Sequence, residues 1–152
     1  MARRPPRVPP PSGGFSDEDR EAVLATNRGF YRAFNDRDLA AIDALLAPTG
    51  PAICAHPGQQ PLTTRAATLA SWRAILAHPA APRARCAEEW VTGSGNLALV
   101  VCREILPTAQ LIATNTYVRH AAGWKMIGHH SGQVPVVARL APPAPRDRRK
   151  LH

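Results

Sequence analysis

The sequence predicts one α+β domain in which a strongly curved antiparallel sheet is wrapped by three N-terminal helices. Two observations carry this prediction. Apolar residues recur at helical spacing through the first half of the chain, whereas alternating β-rich runs, separated by short turns, fill residues 84–134. Helices that come first and strands that then follow one another are typical of an α+β domain with its helices on one face of the sheet. A doubly wound fold, in which strands and helices alternate, is not indicated.

The first helix is predicted to begin after Ser16. Asp19 follows Ser16 by three residues, which is the arrangement of an N-cap with acids placed to favour the helix dipole. An apolar stripe then continues to about Asn35 with the period of one buried helical face, about 3.6 residues. The stripe comprises Val23, Asn27, Phe30 and Phe34, flanked by Leu24 and Tyr31.

A second, shorter helix is predicted to pack against the first as a hairpin. Asp36 and Asp38 are alternative N-caps for this helix, and Pro48 ends it because a proline cannot continue a helix. Its apolar residues are Leu39, Ile42, Leu45 and Leu46.

A brief strand and a third helix complete the first half of the chain. Residues 51–56 predict the strand, which ends in a turn at His56-Pro57-Gly58. Residues 64–78 predict the helix, because their apolar residues again repeat at helical spacing. The residues expected to face inward are Leu69, Trp72, Ile75 and Leu76.

Four further strands are predicted over residues 84–92, 96–106, 110–120 and 123–134. The connections between them are short enough to force antiparallel hairpins. Residues 96–106 are apolar on both faces, so this strand is expected to be central, with helices on one side and a second copy of the chain on the other. A homodimer formed through the sheet is the expected consequence. One face of this strand carries Val100, Cys102 and Glu104, and the other carries Leu99, Val101 and Arg103.

The positive charge of the chain is concentrated at its two ends. The formal net charge is +8, of which residues 1–14 contribute +3 and residues 139–152 contribute +4, leaving +1 for residues 15–138. Both ends are rich in proline and poor in apolar residues, which predicts disordered tails on either side of a single domain at residues 15–138. Because the domain has almost no net charge to attract a polyanion, nucleic-acid binding is not expected as its main function.

The sequence also predicts the cellular compartment. No apolar stretch reaches the roughly 18 residues that a membrane span needs, and no apolar run follows the first arginines as a secretory signal would require. Three cysteines, Cys54, Cys86 and Cys102, lie on separate segments, and this odd number predicts reduced thiols in the cytoplasm.

Several short strings occur in a characteristic order along the chain. They are FYRAFNDRDL at residues 30–39, AHPG at 55–58, SWR at 71–73, ATN at 113–115, and GWKM at 123–126 leading to HHS at 129–131. Over about residues 18–134, their order and spacing resemble the SnoaL-like branch of the nuclear transport factor 2-like superfamily. The resemblance implies a cone-like roll with a hydrophobic pocket between the concave sheet face and the helices. It leaves the activity open, because the superfamily spans isomerases, dehydratases, epoxide hydrolases, cyclases and non-catalytic dimers.

The resemblance also implies a catalytic base. In the ketosteroid-isomerase branch a general-base aspartate stands directly before a proline after the first strand, and here His56-Pro57 occupies that place. An imidazole with a near-neutral pKa suits removal of a proton next to a carbonyl group. The branch's second acid, on a late strand, aligns with Asn115, whose amide is a candidate donor to an oxyanion. The alternative is that His56 is only a turn residue whose ring caps the loop.

Alternation along the last strand gives a further candidate. Trp124, Met126 and His130 fall on one face of that strand, and His129 falls on the opposite face. His130 is therefore expected either to orient a ligand in the pocket or to be a hydrogen-bonded core histidine. Because the adjacent histidines are expected to point apart, neither a metal site nor any other cofactor is predicted.

The side chains expected to bind a ligand come from both helices and strands. Glu104 is the unusual one, because a carboxylate among apolar residues must be paired or have its pKa raised if it is buried. The alternative for Glu104 is a salt bridge with Arg103 or Arg119 at the rim of the sheet. The full predicted set is Phe30, Tyr31, Trp72, Cys102, Glu104 and Tyr117.

Two functions fit these residues. The first is a metal-free isomerase, cyclase or dehydratase that acts on a small apolar carbonyl compound, with His56 as base and Asn115 and His130 as polar orienting groups. The alternative is a non-catalytic ligand-binding or dimerisation module. The first helix favours this alternative. The tyrosine of the isomerase branch aligns with Phe30, and Tyr31 is one residue further along the helix, so the oxyanion hole of that branch is not fully reproduced.

Overall fold

The computed structural model describes residues 14–134, and the predicted tails lie outside these residues apart from Gly14. The predicted α+β order is confirmed, with three helices and five strands. The elements are α1 (Asp17–Asn35), α2 (Leu39–Leu45), β1 (Ile53–Ala55), α3 (Arg65–Ala77), β2 (Arg85–Ser94), β3 (Leu97–Ile105), β4 (Gln110–His120) and β5 (Gly123–Gln133).

The helices begin where side-chain caps satisfy their first backbone N–H groups. Ser16 Oγ accepts a hydrogen bond from Asp19 N at 3.1 Å, and Asp19 Oδ2 accepts one from Ser16 N at 3.1 Å, which completes a capping box for α1. Of the two alternative caps for α2, Asp38 is the one used, and its Oδ1 accepts from Ala41 N at 2.9 Å. α1 and α2 pack against each other as the predicted hairpin, and Ile42 of α2 is fully buried.

The sheet is mixed rather than purely antiparallel. Its strand order is β1-β5-β4-β3-β2, and β2 to β5 pair as antiparallel neighbours, as the short turns predicted. β1 instead runs parallel to β5. Because α3 and three strands separate β1 from β5 in the chain, no hairpin turn dictates the direction of this pair.

A bulge in β5 changes which side chains face inward. Thr116 pairs with Gly128 and Tyr117 pairs with Met126, so Ile127 is an extra residue without a partner on β4. An extra residue inverts the alternation of a strand from that point onward. The prediction that His130 shares the inner face with Met126 is therefore wrong. The inner face carries His129, which is buried, and His130 is exposed on the outer face.

The concave inner face of the sheet packs against the helices and forms the core. Val100, Cys102 and Ala113 on this face are fully buried. The convex outer face is apolar and is not covered by any element of residues 14–134. The prediction that a second copy of the chain covers this side of β3 stays a prediction. Its most exposed large side chains are Ile53, Trp90, Leu97 and Leu99, which are 40–54% exposed. None of the described helices combines the length and apolar content needed to cross a membrane.

Candidate functional site

A cavity of about 340 Å³ lies between α1, α3 and the concave face of the sheet. Its walls are mainly apolar and aromatic, as the resemblance implied. Phe30 and Phe34 contribute from α1, Ile75 from α3 and Leu111 from β4. The polar side chains that line it include Tyr31, His56, Trp72, Glu104, His129 and Ser131. This is the combination typical of a small-molecule site, in which a few polar groups orient a ligand in an apolar pocket.

Glu104 is the buried carboxylate of this cavity. Its side chain comes from β3, and both of its oxygens accept hydrogen bonds from hydroxyl groups. Tyr31 Oη donates to Oε1 at 2.8 Å, and Ser131 Oγ donates to Oε2 at 2.6 Å. These two bonds replace part of the hydration that the carboxylate loses on burial.

The alternative expectation, that Glu104 forms a salt bridge at the rim of the sheet, is wrong. Arg103 lies on the opposite face of β3 and pairs with Glu88 at 3.0 Å. Arg119 pairs with Asp19 at 2.6 Å, close to the start of α1. Glu104 therefore faces the cavity without a cationic partner among residues 14–134, and Nε2 of the His129 imidazole lies 4.0 Å from its Oε1.

Tyr31 reaches the cavity from α1 even though it lies one position away from the aligned tyrosine of the isomerase branch. Burial, reinforced by the negative charge of Glu104, raises the pKa of Tyr31 far above its usual value. The phenol therefore keeps its proton and acts as a hydrogen-bond donor. Its oxygen also accepts a hydrogen bond from Asn115 Nδ2 at 3.2 Å and lies 3.2 Å from Cys102 Sγ.

His56 lies where the sequence placed it, in the turn that follows β1. Its backbone oxygen accepts from Gln59 N at 3.1 Å, while its ring lines the cavity rather than capping the loop. Nε2 lies 2.9 Å from Ser71 Oγ, and the ring packs edge-on against Trp72 with a centroid separation of 4.9 Å. Burial lowers the pKa of His56, which keeps the imidazole in its neutral, proton-accepting form near neutral pH.

His129 is the site residue that sequence reasoning missed. Its ring is buried on the inner face, with its centroid 6.4 Å from that of His56. Nδ1 lies 2.6 Å from Asn115 Oδ1. Burial, with smaller contributions from His56 and His130, lowers the pKa of His129 to about 3, so this imidazole is also neutral. Gly128 was an available signal of the bulge that turns His129 inward, because a glycine inside a strand often marks a bulge.

Asn115 lies behind the cavity wall rather than in it. It is fully buried, and its amide nitrogen donates to Asn27 Oδ1 at 2.8 Å and to Tyr31 Oη at 3.2 Å. Both amide hydrogens are therefore engaged within the protein. The prediction that Asn115 donates to a ligand's oxyanion is wrong, because strand alternation gives the face of a side chain but not its depth below that face.

Three other predicted site residues also lie away from the cavity. Cys102 and Tyr117 are fully buried beneath it, and Tyr117 Oη donates to Asn27 Oδ1 at 2.7 Å. They support the wall without lining it. His130 lies on the outer face, near Ile53, for the reason already given. The predicted ligand-binding residues that do line the cavity are Phe30, Tyr31, Trp72 and Glu104.

Trp72 contributes a hydrogen-bond donor that has no partner. Its ring is 3% exposed and lines the cavity, and no acceptor in the described part of the chain lies within reach of Nε1. A buried indole N–H usually has a partner, so an unpaired Nε1–H at this position is unusual. Within residues 14–134 no group of three or more His, Cys, Asp or Glu side chains is arranged to hold a metal ion.

Comparisons with known proteins agree with this architecture. Residues 23–136 match the family model described as the SnoaL-like domain. A search of curated proteins found no match.

Solved structures give a similar result. One is a provisionally assigned dehydratase of the nuclear transport factor 2-like family from Streptomyces avermitilis, with 28% identity, a TM-score of 0.72, and coverage of 78% of this chain and 97% of that one. Another is a provisionally assigned calcium/calmodulin-dependent protein kinase type II association domain from Thiobacillus denitrificans, with 29% identity, a TM-score of 0.65, and coverage of 74% and 94%.

A third structure is more distant in sequence and agrees in fold. It is a nuclear transport factor 2-like protein of unknown function from Pseudomonas putida, with 21% identity, a TM-score of 0.68, and coverage of 86% of this chain and 100% of that one. Because the family model covers most of the sequence and these structures share its fold, the chain belongs to the SnoaL-like family of the nuclear transport factor 2-like superfamily.

Proposed function

We propose that this protein is a metal-free dehydratase that removes water from a small, apolar β-hydroxy carbonyl compound, with His56 as general base. The observation that carries the proposal is the pair of neutral imidazoles, His56 and His129, whose ring centroids lie 6.4 Å apart in one apolar cavity. A small ligand in this cavity can therefore contact both rings, with its C–H group at one imidazole and its hydroxyl group at the other. The similarity to the provisionally assigned dehydratase supports the same reaction class.

His56 acts first, by removing the proton from the carbon next to the carbonyl group. Its lowered pKa means that it is present as the free base near neutral pH. Ser71 Oγ, 2.9 Å from Nε2, holds the ring in position. Negative charge then develops on the carbonyl oxygen, and the unpartnered Nε1–H of Trp72 is the candidate donor of a hydrogen bond to this oxygen.

The elimination is completed when the carbon–oxygen bond of the hydroxyl group breaks. The electron pair of the broken C–H bond becomes the new double bond, and the imidazolium of His56 returns the abstracted proton to the leaving oxygen. Water and an unsaturated carbonyl compound are the products, and His56 is restored to its neutral form. No oxidant, reductant or external proton is consumed.

The lining of the cavity selects the substrate by size and charge. About 340 Å³ accommodates a ligand at the small end of the usual range for such sites. Glu104 is the one carboxylate among the described lining residues, and neither lysine nor arginine is among them. An anionic substrate would therefore meet a negative charge without a counter-charge, so we expect a neutral ligand.

The proposal is tested with a panel of neutral aromatic and aliphatic β-hydroxy ketones, followed by the absorbance of the unsaturated product. His56→Ala is expected to lower turnover by about 100-fold or more, the usual contribution of a general base. His130→Ala is the matched control, because it removes an imidazole from the exposed outer face and should leave turnover unchanged. Equal rates for wild type and His56→Ala would contradict the assignment.

A second candidate is a non-catalytic ligand-binding or association module. The observation that favours it is the uncovered apolar outer face with Trp90, Leu97 and Leu99, which resembles a subunit interface more than a solvated surface. One similar structure is described as an association domain. We expect this face to pair with a second copy of the chain, and such a homodimer is compatible with either function. Absence of turnover across the panel, together with a stable dimer, would favour this candidate.

The state of the cysteines fits a reducing compartment. Cys54, Cys86 and Cys102 are all free thiols. A cytoplasmic location therefore forms part of the proposal. Finding the protein in a membrane-free cytosolic fraction, with all three thiols titratable after unfolding, would support this assignment.

A further inference from the structure

A continuous chain of side-chain hydrogen bonds connects the surface of the domain with the cavity. It begins at Glu89 on β2, whose side chain is 13% exposed, and passes through Asn27 and Asn115, which are fully buried. It ends at His129 in the cavity wall. The successive donor–acceptor distances are 2.9, 2.8 and 2.6 Å. The dehydratase mechanism assigns no role to Glu89, Asn27 or Asn115.

The chemistry of Glu89 fixes the direction of this chain. A carboxylate accepts hydrogen bonds and does not donate them, so Asn27 must turn its amide nitrogen towards Glu89. The oxygen of Asn27 then faces inward, where it accepts from Asn115 Nδ2 at 2.8 Å and from Tyr117 Oη at 2.7 Å. Because the nitrogen of Asn115 is directed to Asn27, its oxygen is directed to His129.

The last link determines where the proton of His129 resides. Asn115 Oδ1 is an acceptor that lies 2.6 Å from Nδ1, so Nδ1 must carry the hydrogen. In a neutral imidazole, Nε2 is then an unprotonated acceptor. Nε2 is the nitrogen directed towards Glu104, at 4.0 Å from Oε1, and therefore towards the polar side of the cavity.

The same amide also fixes the second branch of the network. The other hydrogen of Asn115 points to Tyr31 Oη at 3.2 Å, so the Tyr31 hydroxyl must direct its own proton to Glu104 Oε1 at 2.8 Å. The orientation of two groups in the cavity, one imidazole and one phenol, thus depends on the orientation of two buried amides.

Glu89 is held in place by a bulge in β2 and by an ion pair with Arg28. Glu88, the residue before it, has a φ of 52°, which is an unusual backbone conformation for a residue other than glycine. It lies in the bulge between Ala87 and Trp90. The bulge lets the two adjacent acids diverge, with Glu88 paired to Arg103 on the outer face and Glu89 directed to Asn27. Arg28 holds the second oxygen of Glu89 at 2.8 Å.

We infer that Glu89, acting through Asn27 and Asn115, is a positioning residue that holds His129 as the Nδ1–H tautomer, so that the cavity presents a hydrogen-bond acceptor at Nε2. The ligand group opposite Nε2 must then be a donor. On the proposed function, on which this last step rests, that group is the hydroxyl of the β-hydroxy carbonyl substrate. His129 would hold the hydrogen of the departing water while His56 returns the proton to its oxygen.

The tautomer can be measured directly by NMR in ligand-free, ¹⁵N-labelled protein. Long-range ¹H–¹⁵N correlations join the hydrogens on the ring carbons to the two ring nitrogens. Their pattern distinguishes a protonated Nδ1 from a protonated Nε2. Wild type is expected to show His129 with a protonated Nδ1 and an unprotonated Nε2 near neutral pH. A protonated Nε2 in wild type would overturn the inference, and this measurement depends on no variant.

Glu89→Gln tests the origin of the preference. Glutamine has nearly the same shape but can donate as well as accept, so it permits the whole amide chain to reverse. The bias towards the Nδ1–H form is expected to weaken by roughly tenfold, which would make the Nε2–H form visible. Glu88→Gln is the matched control, because it removes the same charge from the adjacent residue and leaves the chain intact. Identical tautomer populations in wild type and Glu89→Gln would overturn the role of Glu89.

Ligand binding tests the remaining step separately from turnover. A β-hydroxy ketone should raise the melting temperature of wild type more than its methyl ether does, because only the alcohol can donate to Nε2. Glu89→Gln should reduce this difference. Equal shifts for the alcohol and the ether would overturn the predicted ligand donor, whatever the tautomer. Failure of every compound to turn over would instead count against the dehydratase assignment and leave the tautomer result intact.

Discussion

Tyr31 Oη and Glu104 Oε1 lie 2.8 Å apart, so the hydroxyl of α1 donates directly to the buried carboxylate of β3. This bond joins helix and sheet at the point where the cavity is most polar. Its removal would leave Glu104 with Ser131 as its remaining hydroxyl donor and would leave one hydrogen of Asn115 without an acceptor.

Tyr31→Phe is therefore expected to destabilise the domain by about 1–3 kcal/mol, the range for leaving buried polar groups unsatisfied. The free energy of unfolding from urea denaturation is the measurement. Adding Glu104→Gln to Tyr31→Phe should cost less than the sum of the two single changes, because the residues are directly coupled. Additive effects would show that the hydrogen bond contributes nothing specific.

The buried imidazole of His129 makes stability depend on pH. Its pKa is about 3 in the folded protein, below the ordinary value of 6.5 that applies when the chain is unfolded. Between these values the unfolded chain binds a proton that the folded chain does not, so stability rises with pH. The contribution is complete above about pH 6.5 and is lost progressively as the pH falls towards 3.

Acidification from about pH 7 to 4 should therefore destabilise wild type more steeply than His129→Gln, by up to about 1.4 kcal/mol per pH unit. Thermal melting over this range measures the difference. His130→Gln should change the slope far less than His129→Gln, because His130 is the smallest of the three causes of the lowered pKa of His129. If His129→Gln and wild type had the same slope, the imidazole of His129 would have to be accessible to protons in the folded state.

Tyr117 should prove structural rather than ligand-binding. Its hydroxyl donates to Asn27 Oδ1 at 2.7 Å below the floor of the cavity. Tyr117→Phe is expected to lower the free energy of unfolding by about 0.5–1.5 kcal/mol, the usual net value of one hydrogen bond. Ligand affinity should be unchanged, since Asn27 keeps its bond to Asn115. A large loss of ligand affinity without a loss of stability would show that Tyr117 binds the ligand.

The outer face, which no element of residues 14–134 covers, is expected to hold together the homodimer proposed above. Leu99→Glu introduces a charge into the centre of the apolar outer face and is expected to convert the dimer into a monomer, because an unpaired charge at a buried interface is strongly unfavourable. Light scattering coupled to gel filtration measures the mass. Ala70→Glu, on the exposed side of α3, is the control and should remain dimeric. A monomeric wild type would refute the interface.

The helices, the antiparallel hairpins and the position of His56 could be predicted because their signals are local. Ser16 and Asp19 cap α1 through side chains three residues apart, and the turn at His56-Pro57 is a feature of a few consecutive residues. Such features depend on propensity, periodicity and backbone restriction, all of which can be read in a short window of sequence.

The errors in the site concern relations between distant segments. The pairing of β1 with β5 and the bulge at Ile127 depend on how strands register, and strict alternation along β5 therefore exchanged His129 with His130. The same shift concealed Ser131 as a partner of Glu104. Asn115 was assigned to the correct face, but its depth is set by Tyr31 and Asn27 on α1, which no pattern within β4 could reveal.

The bulge at Ile127 in β5 determines which of the two adjacent histidines enters the cavity. Deleting Ile127 would leave every later side chain on its present face, because Met126 and Gly128 already pair with the adjacent residues Tyr117 and Thr116. Pairing Ile127 as a regular strand residue would instead move each later side chain to the other face, sending His129 outward and bringing His130 in. Loss of the bulge, without any change of amino acid, would thus alter both the cavity and the outer face. Among relatives with this architecture, a strand that takes up an inserted residue as a bulge therefore keeps its pocket side chains in place.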